Sequence, residues 1–139
     1  LHRVDRRQRQ MCIRDSPHAV VVTDHTTVCD INLNDSPTWR PRSAFPDGVN
    51  VEFVEQIDQH TVAMRVHERG SGETMSCGTG TVAVAATMAT RTGHRGPWTV
   101  QVPGGRVVVT LSPSDDGYRA ILTGPAVILA AGKVDLPNG

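Results

Sequence analysis

Of the residues in this chain that can do chemistry, Cys77 has the most telling neighbours. It opens the string Cys77-Gly78-Thr79-Gly80, directly before TVAVAATMATRTG (81–93), a segment rich in Ala, Val and Met. That segment reads as a helix, with Gly93 as its stop. The first N–H groups of a helix lack internal partners and form the positive end of its dipole. A thiol placed there is favoured as the thiolate. Gly78 and Gly80 leave the backbone bare, so a carboxylate can dock on the N–H groups of Gly78, Thr79 and Gly80. One element thus offers a base or nucleophile together with a cradle for the group next to the reacting carbon. Just upstream, Glu68 is suited to relay a proton and Arg69 to grip a carboxylate at two points. The plain alternative for Cys77 is a buried free thiol, and for the nearby Ser and Thr residues it is helix capping.

These residues need elements to hold them. PHAVVVTD (17–24) is a short Val-rich strand that ends in turn formers. The stretch 24–48 is polar and punctuated by Pro, and reads as loop with one helical turn at most. VNVEFVEQ (49–56) alternates Val49, Val51 and Phe53 against Asn50 and Glu52, and HTVAMRVHE (60–68) alternates in the same way. Joined through Ile57, Asp58 and Gln59, they form a hairpin. RGSGETMSCGTG (69–80) reads as a Gly-rich loop. WTVQVPGGRVVVTL (98–111) predicts two strands around Pro103-Gly104-Gly105. GYRAIL (117–122) and PAVILAA (125–131) predict two more. The helix is apolar nearly all round, which predicts burial on all sides. The expected fold is α+β: a curved, mostly antiparallel sheet wrapped around one central helix.

Composition narrows the class. The chain has 139 residues, 38% hydrophobic and 20% charged, which is enough for one packed core. No apolar run reaches the roughly 18 residues of a membrane span. The net charge of +0 gives no general basic excess, which argues against nucleic acid as a partner. The charge is uneven, because residues 1–16 carry five Arg against two Asp. That head reads as a non-native or mis-joined leader, and MCIRDS resembles translated adapter read-through; a basic arm for an acidic partner is the other reading. The domain proper is expected over 17–139. Three widely spaced cysteines with no CxxC pair predict neither a disulfide framework nor a zinc site. Reduced thiols in a cytoplasm are expected. No His shows ligand spacing, so no metal is expected. Cys29 is expected to be structural or incidental, and Cys12 belongs to the head. Glu73 reads as a loop or cap residue.

The string ERGSGETMSCGTG (68–80) resembles the signature around a catalytic cysteine of diaminopimelate epimerases. FPDGVNVEF (45–53) and SPHAVV (16–21) are similar to two further blocks of that family, in the same order. The resemblance implies an isomerase that interconverts L,L- and meso-diaminopimelate in lysine and peptidoglycan synthesis, with no pyridoxal phosphate and no metal. Two cysteines face the substrate α-carbon from opposite sides; one removes a proton and the other returns one. Cys77 matches the cysteine of the second half. His18 and Glu68 match groups that assist the thiols. Asn50, Glu68 and Arg69 match residues that hold the distal amino-carboxylate, and Gly78 and Thr79 match the donors to the reacting carboxylate. Without the resemblance, His18 reads as a partly buried His beside a strand, and Asn50 as part of a solvated strand face.

The family fold has two similar halves, and this chain resembles the second. The first-half cysteine is absent, so the resemblance implies an N-terminal half-domain as a partner and no turnover by this chain alone. A homodimer is also among the expected assemblies. Ser16 stands where the family carries Asn before Pro-His. PAVILAA is expected to cross to the other half and so to present an unpaired apolar edge here. Two rival readings remain. One is another cofactor-independent racemase of the proline racemase type, which has no distal carboxylate for Arg69 to grip. The other is a non-catalytic binding module with an ordinary buried Cys77.

Overall fold

The computed structural model describes residues 16–115 and 117–133. Its strands are β1 (His18–Val22), β2 (Asn50–Gln56), β3 (Thr61–Glu68), β4 (Gly72–Thr74), β5 (Trp98–Val102), β6 (Gly105–Ser114) and β7 (Gly117–Thr123). One helix, α1 (Gly78–Thr92), lies between β4 and β5. Short 3-10 turns at Val28–Asp30 and Arg42–Ala44 interrupt the long connection between β1 and β2.

All seven strands form one sheet in the order β1-β2-β3-β5-β6-β7, with β4 pairing only with β3. β1 runs parallel to β2 and β3 parallel to β5; the other pairings are antiparallel. The predicted hairpins 49–68 and 98–111 are both present, the second turning at Pro103-Gly104. The sheet must curl, because α1 packs against β1 at one end of the strand order and β7 at the other. Five strand spacings of about 4.8 Å separate those ends in a flat sheet, about twice the roughly 10–12 Å width of a helix.

Period-two alternation decides what faces the helix. Val54 on β2, with Val62, Met64 and Val66 on β3, joins Trp98, Val100, Val109 and Leu111 in a core closed by Val84, Ala85 and Met88 of α1. Val20 and Val22 of β1 pack on the same cluster. Trp98 is fully buried, and its indole N–H donates to the His94 carbonyl at 3.0 Å. The opposite face of β2 and β3 is covered as well. There Arg65 donates to the carbonyls of Val28 and Ile31 at 2.8 and 2.7 Å, pinning the first 3-10 turn, and Val28 is buried. Arg65 also makes a two-point pair with Glu73 at 2.6 and 2.8 Å, which ties β4 to β3. Glu73, read from sequence as a loop or cap residue, is therefore a strand clamp.

Three expectations need correction. The helix begins at Gly78, three residues earlier than its apolar segment suggested, and stops where Gly93 takes φ 77°. It is buried along a single stripe of Gly80, Thr81, Val84, Ala85 and Met88, with Thr90, Arg91 and Thr92 exposed. Many of its other residues are small, so their apolar character did not require burial on all sides. PAVILAA (125–131) is not a strand: Val127, Ile128 and Leu129 are 78%, 89% and 92% exposed. A strand needs a neighbour to satisfy its backbone, and none of the described residues supplies one. Cys12 and most of the 1–16 head lie outside the described residues.

Candidate active site

The site forms where one end of the sheet meets the N-terminus of α1. On β1, His18 shares the helix-facing phase of Val20 and Val22. On β2, Asn50 and Glu52 share the phase of Val54, and on β3 Glu68 shares that of Val66. The parallel register sets His18 beside Asn50 and Val20 beside Glu52. Polar residues from three strands thus converge below the first turn of the helix.

Cys77 is the N-cap of α1, with extended backbone (φ −131°, ψ 111°), and is 9% exposed. Its carbonyl accepts from both the N–H and the hydroxyl of Thr81, each at 2.8 Å. Its Sγ lies 3.6 Å from Thr79 Oγ1. Gly78, Thr79 and Gly80 are the first three helical residues, so their N–H groups have no acceptor within the helix. Gly78 and Thr79 are exposed. An anion reaching this end therefore meets open donors beside a thiol.

The carboxyl grouped with the thiol is Glu52. A ring nitrogen of His18, a carboxyl oxygen of Glu52 and Cys77 Sγ all lie within 4.8 Å of one another. Glu52 is completely buried, and its Oε1 is 2.6 Å from His18 Nδ1. Burial raises the Glu52 carboxyl above its ordinary range; the hydrogen bond and charge of His18 oppose that rise, and the Glu68 charge adds to it. Gly80 is confined by the same group, since a Cβ there meets Glu52 Oε1 at 2.6 Å and Cys77 Sγ at 3.3 Å.

The remaining predicted residues are held by contacts of their own. Asn50 is buried, not solvated, and its Oδ1 accepts the Arg69 backbone N–H at 2.9 Å. Arg69 donates from Nη1 to the Asp47 carbonyl at 3.2 Å. Its side-chain methylenes pack on Gly48, which holds φ 91° and where a Cβ meets Arg69 Cδ at 2.7 Å. Glu68 accepts from Thr74 Oγ1 at 2.5 Å, which joins it to β4. The structure therefore gathers His18 and Cys77 directly, sets Asn50 opposite His18 in the β1–β2 register and Glu68 close enough for its charge to act on Glu52, while the Arg69 side chain lies with Asp47 and Gly48. Cys29 is exposed on the 3-10 turn, away from this cluster. Glu52 was missed from sequence, although a signal was present: it shares the alternation phase of Asn50, so whatever one faces the other faces too.

Residues 15–129 match the family model described as Diaminopimelate epimerase. The chain belongs to the diaminopimelate epimerase family. It is 49% identical over 130 residues to a diaminopimelate epimerase of Streptomyces coelicolor, covering 86% of this chain and 43% of that protein. It is 48% identical over 125 residues to one of Rhodococcus opacus, covering 86% and 41%. The chain thus spans about two-fifths of the length of these relatives. Among solved structures, a Bacillus anthracis phenazine biosynthesis protein of the PhzF family is 21% identical, with a TM-score of 0.42 over 58% of this chain and 27% of that one. Among the described residues no helix is long and apolar enough to cross a membrane.

Proposed function

We propose that this chain carries the second-cysteine half of a diaminopimelate epimerase centre, an isomerase that inverts one α-carbon by transfer of a proton between two thiols. The observation that carries the reading is Cys77 at the N-cap of α1, with the His18–Glu52 pair within 4.8 Å. An amino-acid α-proton is very weakly acidic, so its removal needs fixed dipoles at the developing negative charge. In this reading the substrate α-carboxylate docks on the N–H groups of Gly78 and Thr79. Cys77, as thiolate, takes the proton from one face, or as thiol returns it. Asn50, Glu68 and Arg69 hold the distal amino-carboxylate. The second thiol comes from an N-terminal half-domain, and this chain alone does not turn over.

A chimera tests the reading: residues 17–129 replace the matching segment of the Streptomyces coelicolor relative. Epimerisation of L,L-diaminopimelate, followed as α-proton exchange into deuterium oxide, is expected within about tenfold of the parent. Cys77→Ser in the chimera is expected to lower it by roughly 10²–10⁴-fold. A folded chimera with no exchange overturns the reading, and so does full exchange in the Cys77→Ser chimera.

A further inference from the structure

Glu52 is an expensive residue to keep. It sits in a β2 phase whose next member, Val54, is pure core, yet it is itself completely buried. Its Oε1 has one partner, His18 Nδ1, and its Oε2 has none among the described residues. His18 Nε2 is likewise buried without a partner among them. A buried carboxyl with one satisfied oxygen is a poor packing residue, and an apolar side chain of similar volume serves packing better. Gly80 intensifies the point, because the helix gives up a side chain to leave room for Oε1.

Neutral imidazole has two tautomers, and the one present is set by the partner at the other nitrogen. A carboxylate can only accept. With an ionised Glu52 as acceptor, the 2.6 Å contact of Oε1 with Nδ1 requires the hydrogen on Nδ1 and leaves the lone pair on Nε2. We propose that Glu52 is the positioning residue of this site, holding neutral His18 in the Nδ1–H tautomer so that Nε2, buried and without a partner among the described residues, is the ring nitrogen left to take a proton. The role rests on the reading of Cys77 as a proton carrier. The ionisable groups around Glu52 are His18 on β1, Glu68 on β3 and Cys77 at the head of α1, and only His18 is hydrogen-bonded to it.

The tautomer can be read without turnover. In the ¹⁵N-labelled full chain at neutral pH, long-range ¹H–¹⁵N correlation separates Nδ1–H from Nε2–H rings, and the His18 signal is assigned by its loss in His18→Gln. Wild type is expected to show Nδ1–H; an Nε2–H ring overturns the proposal. Glu52→Met keeps the volume and removes the acceptor. It is expected to shift the Nδ1–H to Nε2–H ratio by at least about tenfold, the worth of one hydrogen bond to a charged group. An unchanged ratio overturns the proposal. If that variant does not fold, Gly80→Ala decides instead, since its methyl displaces Oε1 and is expected to move the ratio in the same direction; an unchanged ratio there is equally fatal. A silent chimera with the Nδ1–H signature intact removes the epimerase reading alone. An active chimera with an Nε2–H ring removes the positioning role alone.

Discussion

Replacing Gly80 by Ala sets helix propensity against crowding, and the structure decides the sign. Propensity alone favours Ala by about 0.8–1 kcal/mol. The new Cβ, however, arrives 2.6 Å from Glu52 Oε1 and 3.2 Å from its Cδ. Glu52 is completely buried, so it can yield only by shifting against its packing and straining the bond to His18. Overpacking of this kind costs about 1–3 kcal/mol, and damage to a charged hydrogen bond adds about 1.5 kcal/mol or more. The net loss is about 2 kcal/mol, or about 8 °C in Tm for a domain of this size. Gly78→Ala is the internal control: it lies two residues away in the same helical turn with nothing within 4 Å of its Cβ, and is expected to be neutral or slightly stabilising. Urea unfolding followed by tryptophan fluorescence reports both, since Trp98 is wholly buried. The cycle is completed with Glu52→Ala, where the Gly80→Ala penalty should fall by at least half. Equal stability of the two Gly variants refutes the crowding argument, and an undiminished penalty without Glu52 shows that another group is being struck.

Glu52→Gln should reveal the cost of the buried carboxyl through pH. Because burial raises the Glu52 carboxyl in the folded state, its favourable contribution is complete below about pH 4.5 and is lost as pH rises through the folded value. The stability of Glu52→Gln relative to wild type should therefore grow between pH 5 and 8, by no more than about 1.4 kcal/mol per pH unit; parallel urea-midpoint profiles exclude this. Arg65→Lys should cost about 1–2 kcal/mol by thermal melting, because the two-point grip on Glu73 and the bonds to Val28 and Ile31 need a guanidinium fork. Met88→Ala, at a fully buried position of α1, should cost about 2–5 kcal/mol in the same assay. Changing Val127, Ile128 and Leu129 together to Ser should leave Tm within about 2 °C, since all three are exposed.

Much of this architecture was legible because alternation is a strong signal. Val62, Met64 and Val66 announced both β3 and its buried face, and Pro103-Gly104 announced the β5–β6 turn. The start of α1 was not legible: Gly78, Thr79 and Gly80 are weak helix formers, and what closes their turn is the Cys77 carbonyl, which accepts from both the N–H and the hydroxyl of Thr81. On its residues alone Asn50 reads as part of a solvated face, because an antiparallel pair with alternating residues commonly keeps one wet side. In fact the 24–48 connection covers the second side, where Val28 and Leu33 are buried. A long polar loop gives no periodic hint that it will fold back as a cover. PAVILAA shows the converse, since apolar content alone cannot make a strand where no edge meets it.

The position of β1 in the sheet bears on how the site is lost. Among the described residues β1 has one strand neighbour, β2, and it is reached across a connection of 27 residues, numbers 23–49. Cooperative opening of a protein proceeds in units, and an edge strand with a single ladder detaches at lower free energy than the interior. His18 rides on that strand, while Glu52, Cys77 and the helix belong to the interior. Warming or mild denaturant should then strip the imidazole from its carboxyl partner while β3, β5 and α1 are still assembled. The His18–Glu52 pair would part below the melting temperature, as a sub-global event that hydrogen exchange at Ala19–Val21 would register before any loss of helix.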